Sequence, residues 1–349
     1  MTPASVSVRD VAALAGVSVG TVSNALNRPE LVAPDTLERV LEAIARLGFV
    51  RNESARQLRA GSSRTLGLVV LDVTNPFFTD VARGVEDAAN DAGLTVILCN
   101  TDDRSDKEVN YLDVLEQQRV QGILITPVDV VSDRIAQLRA RGMPIVLLDR
   151  IAADGDQCSV SVNDVLGGEL AATHLLAMGH RRIAFVGGPR SLRQVQDRFD
   201  GAQRAVDRHA GPRAELTHVL TPALNTEAGV VAGAEVLGMD PRPTAVFCAN
   251  DLIALGVLQV AVRGGLRVPE DLAIVGYDDI QFAAWATHPL SSVSQPRRLL
   301  GRTAATLLLA ERSDHAHHVH QQAVFEPELV IRQSSDHKRA ARRAVKGTP

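Results

Sequence analysis

Aromatic side chains are scarce in this chain: eight phenylalanines, two tyrosines and one tryptophan among 349 residues. Cysteine is rarer still. Cys99, Cys158 and Cys248 are an odd number with no ligand-like spacing, which argues against a disulfide framework and for reduced thiols buried as small hydrophobes. No run of about 18 apolar residues occurs, so no membrane-spanning helix is expected. Met1 to Arg9 lacks the basic-then-apolar run of a secretory signal, and the expectation is a cytoplasmic protein. No G-x-G-x-x-G or phosphate-loop motif accompanies any strand pattern, which argues against dinucleotide and ATP binding. No Ser-His-Asp or Cys-His arrangement presents itself at the strand ends, which argues against an enzyme. No cofactor is expected.

What is present is an ordinary globular balance, 45% apolar and 22% charged, in a length that suits one large two-lobed domain plus a small one. The net charge of −4 is unevenly spread. Residues 1–64 hold eight arginines against six acids, and residues 336–349 hold five Lys or Arg against one Asp, which leaves −10 for the stretch between. A basic head on an acidic body fits a DNA-binding module carried by a domain that does not touch DNA.

The segment Ser7 to Asn27, SVRDVAALAGVSVGTVSNALN, reads as two short helices. Val8, Val11, Ala12, Leu14 and Ala15 give the first a buried face, Gly16 breaks it, and Ser18 offers a hydroxyl to cap the second. That second helix buries Val22, Ala25 and Leu26 and exposes Val19, Gly20, Ser23 and Asn24. Small Ala12 sits where the two would cross. A third helix begins near Pro34, carries the stripe Leu37, Val40, Leu41, Ile44 and Leu47, and stops at Gly48. The pattern is that of a helix-turn-helix, although a small bundle with no DNA role has the same periodicity. Residues 51–64 then form a hinge segment with helix formers, little apolar surface and arginines at 51, 56 and 59.

RDVAALAGVSVGTVSNALN resembles the opening motif of the lac repressor (LacI/GalR) family over its full length. The resemblance implies that the helix from Ser18 lies in the major groove of a palindromic operator. Val19, Gly20 and Asn24 match base-reading positions, and Thr21, Ser23 and Asn27 match positions that hold phosphates. Asn24 can donate and accept together, as adenine requires, whereas Val19 offers only apolar contact. In the hinge, Leu58 matches the leucine that wedges into the minor groove and Ala55 the position where paired hinges pack. A homodimer follows from the same resemblance.

From residue 66 strand and helix patterns alternate. LGLVVLD (66–72), TVILCN (95–100), GILIT (122–126) and PIVLLD (144–149) read as strands covered on both faces, with helices beginning near Pro76, Ser105 and Val131. A second series follows: SVSVN (159–163), RIAFVGG (182–188), THVL (217–220), TAVFCAN (244–250) and LAIVGYDD (272–279). The fold class is thus a small all-α helix-turn-helix head (1–50) and an α/β body of two parallel-sheet lobes (65–332), with a basic, disordered tail from 333. Pockets in such sheets lie at the C-terminal strand ends, which here are Asp72, Asp149, Asp164, Asn250, Asp251 and Asp278. Acids without a basic cluster suit a neutral polyol. Asp164 and Asp251 read equally well as helix caps, and Phe78 as a core residue. A run of histidines, His315, His317, His318 and His320, lacks acids or cysteines at matched spacing, and no metal is expected there.

The body resembles the LacI/GalR effector domain through GLVVLDVTNPFF, QGILIT, VLLDR, LLAMGHRRIAFVGGP, ANDLIALG, GLRVPEDLAIVGYDD and SSVSQP. That resemblance implies a fold like periplasmic sugar-binding proteins and effector contacts from Phe77, Phe78, Arg150, Asp164, Arg198, Asn250 and Asp278. Leu224 stands where related members often present a ring. The implied function is a DNA-binding repressor controlled by a sugar-like effector. The alternatives are an α/β sugar-processing enzyme and a purine- or nucleoside-responsive regulator.

Overall fold

A computed structural model describes residues 6–49, 63–129, 132–152, 155–189, 192–211, 213–314 and 317–336. The chain divides into two compact units at Ser63/Arg64. The first is the helical head: α1 (Val8–Ala15), α2 (Val19–Asn27) and α3 (Pro34–Leu47). The Asp10 carboxylate accepts from the backbone N–H and the hydroxyl of Ser7 (2.8 and 2.7 Å), closing the first turn of α1. Gly16 then adopts φ 64°, where a Cβ would be strained, and the Val17 N–H returns to the Ala12 carbonyl at 3.0 Å. Ser18 caps α2 as expected, its Oγ accepting from Thr21 N–H at 3.0 Å. The core is small: Val11, Ala12, Ala15, Val22, Ala25, Val40 and Ala43. Leu14 and Leu41, expected inside, are 40% and 51% exposed. Three short helices cover only the centre of each apolar stripe, and small Ala43 takes the buried place on α3.

The body contains two six-stranded sheets. The first has the order β11-β5-β4-β3-β1-β2 and the second β12-β10-β9-β8-β6-β7. The strands are β1 (Thr65–Val70), β2 (Thr95–Asn100), β3 (Ile123–Ile125), β4 (Ile145–Leu148), β5 (Ser159–Val162), β6 (Arg182–Gly187), β7 (Glu215–Leu220), β8 (Ala245–Cys248), β9 (Ala273–Asp278), β10 (Ser291–Ser294), β11 (Gln322–Phe325) and β12 (Glu328–Val330). Neighbours pair in parallel except β12, which runs antiparallel to β10. The expected strands are present, with two corrections: SVSV at 159–162 pairs with β4 in the first lobe instead of opening the second, and β2, expected to be covered on both faces, is an edge strand with Ile97 and Leu98 exposed. The chain therefore crosses between lobes after β5, after β10 and after β11, so neither lobe is one continuous stretch.

Three helix pairs pack at glycines facing one another's backbone. Helices α4 (Pro76–Asp91) and α12 (Arg297–Ser313) meet at Gly84 and Gly301, and α7 (Asp164–Ala177) and α8 (Arg193–Asp207) at Gly168 and Gly201. Likewise α9 (Thr226–Gly238) and α10 (Asp251–Arg263) meet at Gly229 and Gly256. A Cβ on any of the six would strike a carbonyl oxygen of the partner helix. Helices α5 (Ser105–Gln117), α6 (Asp133–Ala140) and the short α11 (Gln281–Trp285) complete the layers. The first residues of the tail expected from 333 are built into the body: Gln333–Ser335 form a 3-10 turn in which Ser334 and Ser335 are buried, and 337–349 lie outside the described residues. Ser334 Oγ donates to the Ile274 carbonyl at 2.6 Å, which ties this turn to the second sheet. Among the described residues no helix is long and apolar enough to cross a membrane.

Candidate functional site

On the head, α2 presents Val19, Gly20 and Asn24 as exposed residues, with Val19 43% accessible. Ser18 Oγ and Thr21 Oγ1 lie 2.9 Å apart, and Asn27 Nδ2 donates to the Ser23 carbonyl at 2.7 Å. The polar side chains flanking the exposed face are thus held by one another, while Asn24 stays available. Ala55 and Leu58 lie outside the described residues.

In the body, a cavity of about 530 Å³ opens between the strand ends of the two lobes. The first lobe contributes Asp72, Asn75, Phe77, Phe78, Asp102, Asp103 and Asp149; the second contributes Leu192, Gln194, Arg198, Leu224, Asn225, Glu227, Asn250 and Asp278. Asn75 caps α4 by accepting from Phe77 N–H at 3.0 Å, which sets both rings at the cavity edge. Those rings meet edge to face, with centroids 5.0 Å apart. They form an apolar wall in a cavity otherwise rich in carboxyl and amide oxygens.

Arg198 is the centre of the polar floor. The close crossing of α7 and α8 at Gly168 and Gly201 lets its Nε reach Asp164 at 2.8 Å, and Nη1 donates to the Ala249 carbonyl at 2.7 Å. Its guanidinium carbon lies 3.7 Å from the Tyr277 ring centre, and Asp278 is 3.9 Å from Nη1. Burial opposes the charge on Arg198, but Asp164, Tyr277, Asp278 and Asp149 outweigh it and raise the pKa. Burial raises the Asp278 pKa against the pull of Arg198. Asp149 is pushed up to about 7, first by burial and then by the Asp164 charge.

Besides Arg297 at the start of α12, which pairs with Asp80 and donates to the Asp278 and Asp279 carbonyls, two side-chain hydrogen bonds join the lobes at the cavity. Gln194 Nε2 donates to Asp149 Oδ2 at 2.8 Å, and Asn75 Nδ2 donates to Asp278 Oδ2 at 3.2 Å. Asp149 Oδ1 and Gln194 Oε1 have no protein partner although both are buried. Buried oxygens of this kind seek a donor, and a ligand hydroxyl is one.

Comparison with known proteins adds the family. Residues 7–52 match the bacterial regulatory proteins, lacI family, and residues 172–335 match the periplasmic binding protein-like domain. The HTH-type transcriptional repressor PurR of Photobacterium profundum is 35% identical over 330 residues, covering 94% of this chain and 98% of the relative. The chain belongs to the lacI family of bacterial regulatory proteins. The PurR of Vibrio cholerae is 36% identical over 332 residues, covering 93% of this chain and 96% of its own. Among solved structures, the transcriptional regulator CelR–cellobiose complex aligns with a TM-score of 0.71 and 31% identity over 95% of this chain and 100% of that one. The lac repressor dimer bound to operator and the anti-inducer ONPF aligns with a TM-score of 0.83 and 26% identity over 95% and 99%. This lacI-family chain is accordingly a DNA-binding transcriptional regulator with an effector-binding body.

Of the seven expected effector residues in this lacI-family body, Phe77, Phe78, Arg198, Asn250 and Asp278 line the one cavity. Arg150 and Asp164 line an adjoining cavity of about 600 Å³, and Asp149 and Gln194 line both. Asp164 is not a helix cap: Asn163 takes that role from Leu166 N–H at 3.0 Å, and Asp164 holds Arg198. Asn250 is a cap, accepting from Ile253 N–H at 2.9 Å, while its Nδ2 donates to the Leu224 carbonyl. It therefore ties the start of α10 to the Leu224 loop, with its second Nδ2 hydrogen left for other partners. Asp251 is structural, bound to Ile280 N–H and Ser292 Oγ. Sequence reasoning left Asn75 and Gln194 unmarked, because only the packing of one lobe against the other brings them to Asp278 and Asp149.

Proposed function

We propose that this lacI-family regulator is a homodimeric repressor of palindromic operators whose cleft takes a neutral, hydroxyl-rich small molecule, a sugar or sugar derivative, and that it acts in the cytoplasm without enzymatic activity. The observation that carries the effector class is the cavity lining. Phe77 and Phe78 supply an apolar wall, and the surrounding oxygens of Asp72, Asp149, Asp278 and Glu227 accept hydrogen bonds with Arg198 as the cation of the lining. An anionic ligand would meet those carboxyls at a repulsive cost, whereas hydroxyls donate to them. Cellobiose and, in a 32% identical regulator from Enterococcus faecium, ribose occur with relatives of this body.

A purine is the second reading, favoured by the PurR relatives. The second lobe lines the same cavity with Leu224, packed over Gly188, and, among its described residues, with no aromatic ring, so a flat base finds rings from the first lobe only. The operator reading rests on the exposed Val19, Gly20 and Asn24 of α2. The dimer reading is supported by exposed apolar residues on the edge strands β2 (Ile97, Leu98) and β7 (Leu220) and on α11 (Phe282, Trp285). Effector binding changes how the lobes meet, and the hinge segment 51–64 carries that change to paired heads.

A thermal-shift screen of monosaccharides, disaccharides, purine bases and nucleosides tests the effector class, since a ligand of the native state raises its melting point. Stabilisation by a purine alone would overturn the sugar assignment. Fluorescence anisotropy with palindromic and random duplexes tests the regulator. Equal affinity for both, with and without the hits of the screen, would overturn the operator reading, and an unchanged affinity in Leu58→Ala would overturn the minor-groove wedge.

A further inference from the structure

The histidine run finds in the fold the partners it lacks in sequence. Strands β5 and β11 pair in parallel with Gln322 opposite Ser159. That register sets Cys158, one residue before β5, beside the chain that leads into β11. Burial alternates over residues 318–320: His318 and His320 are half-buried while Val319 between them is exposed. Helix α12 reaches the same point, with Glu311 buried on its last turn.

The result is a tight mixed cluster. Cys158 Sγ is 3.1 Å from His318 Nε2 and 3.7 Å from His320 Nδ1, and the two rings meet edge to face at 5.3 Å. One ligand atom from each of Cys158, Glu311, His318 and His320 lies within 4.8 Å of all the others. We propose that these four side chains bind one zinc-like divalent transition-metal ion. Four-coordinate zinc, with bonds of roughly 2.0 Å to nitrogen or oxygen and 2.3 Å to sulfur, spaces neighbouring ligand atoms about 3.5 Å apart. The two sulfur–nitrogen separations bracket that value. Gln321 N–H donates to Cys158 Sγ at 3.4 Å, which orients the sulfur from outside the ligand set.

A thiolate, two imidazoles and a carboxylate select zinc, cobalt or a similar ion over magnesium or calcium, which require oxygen donors. On binding, a metal–sulfur bond forms, the Cys158 S–H bond breaks and its proton leaves to solvent; the imidazoles bind neutral. The site is separate from the effector cleft. Cys158 precedes β5, at the N-terminal end of the first sheet, whereas the cleft residues Asp72 and Asp149 follow β1 and β4. There the ion ties the edge strand β11, by which the chain returns to the first lobe, to β5 and to the end of α12.

The test uses full-length protein stripped with a chelator and titrated with Zn²⁺, Co²⁺ or Mg²⁺. The expected result is one Zn²⁺ per chain, a raised melting temperature, and with Co²⁺ the thiolate charge-transfer and intense d–d bands of four-coordinate cobalt. Cys158→Ser removes the charge-transfer band, Cys248→Ala keeps it, and His318→Gln, at a half-buried position, weakens Zn²⁺ about tenfold or more with an unchanged circular dichroism spectrum. Failure to bind stoichiometrically at micromolar Zn²⁺ overturns the proposal. So does a charge-transfer band that survives in Cys158→Ser, equal binding of Mg²⁺, or full affinity in His318→Gln.

Discussion

Replacing Asp149 by Asn keeps the outline of the side chain and removes a buried acid whose pKa is pushed up to about 7. Folding raises that pKa from 3.8, so between the two values the native chain holds a proton that the unfolded chain has released. The stability contributed by this proton is complete below about pH 4 and is lost as pH climbs through about 7. At roughly 1.4 kcal/mol per pH unit the span is worth up to about 4 kcal/mol, and sharing of the charge with Asp164 and Arg198 brings the working figure to about 2–4 kcal/mol. A body of this size shifts its melting point by roughly 2 °C per kcal/mol. Asp149→Asn should therefore melt about 4–8 °C above the wild type at pH 8.5 and level with it at pH 4. Circular dichroism melts across that range, without effector, measure the difference. An offset independent of pH, or a variant less stable at pH 8.5, would refute the reasoning.

Arg198→Met leaves Asp164 and Asp278 buried without their cation and should lose about 3–5 kcal/mol in urea unfolding, together with effector binding. A loss below about 1 kcal/mol would show that the acids are neutral without it. Gly84→Ala puts a Cβ against the Arg298 carbonyl where α4 crosses α12, and should destabilise the body by about 3 kcal/mol or more while the head melts unchanged. Ser18→Ala removes the hydroxyl that accepts from Thr21 N–H and should lower head stability by about 1 kcal/mol, read by thermal melting of the isolated residues 1–63 if they fold, or by operator affinity of the full chain. Asn24→Ala should relax base preference at one operator position by about 1–3 kcal/mol and leave binding to random duplex unchanged.

The alternation of apolar runs with helical periodicity was enough to place every strand up to β9, but not to say which were covered on both faces: TVILCN reads as a buried strand, yet β2 is a sheet edge with Ile97 and Leu98 exposed. What it could not reveal was partnership. SVSV at 159–162 looks like the start of a second series, and only pairing with β4 and β11 returns it to the first lobe. The carboxylates at strand ends were visible as residues, but their division of labour was not. Asp251 is committed to structural bonds with Ile280 and Ser292, whereas Asp149 keeps a buried oxygen for a donor. Arg198 could be singled out through family resemblance alone, since nothing local marks it; the glycines at 168 and 201 that let it reach Asp164 are 33 residues apart in sequence. Cys158 and His318 are more distant still, and a spacing rule for metal ligands has no purchase on a pair joined by sheet register.

The cleft also indicates how large an effector's leverage can be. Asp102, Asp103, Asp149 and Asp278, which line the cleft, all hold positive φ, between 52° and 98°, a region that aspartate enters more readily than most residues with a side chain. Asp149 and Asp278 stand in different lobes, and each accepts a hydrogen bond from the opposite one, through Gln194 and Asn75. The carboxyls that face the cavity are therefore the same groups that latch the lobes together. A hydroxyl-rich ligand entering the cavity must either displace these two bonds or add to them, and the difference between those outcomes decides whether it opens or closes the body. Exchange of these two bonds, at about 1–1.5 kcal/mol each, contributes roughly 2–3 kcal/mol, or about 30- to 150-fold in the lobe equilibrium. That is enough to switch occupancy of an operator when the resting equilibrium lies near balance, and too little to do so if either state is favoured by more than about 5 kcal/mol.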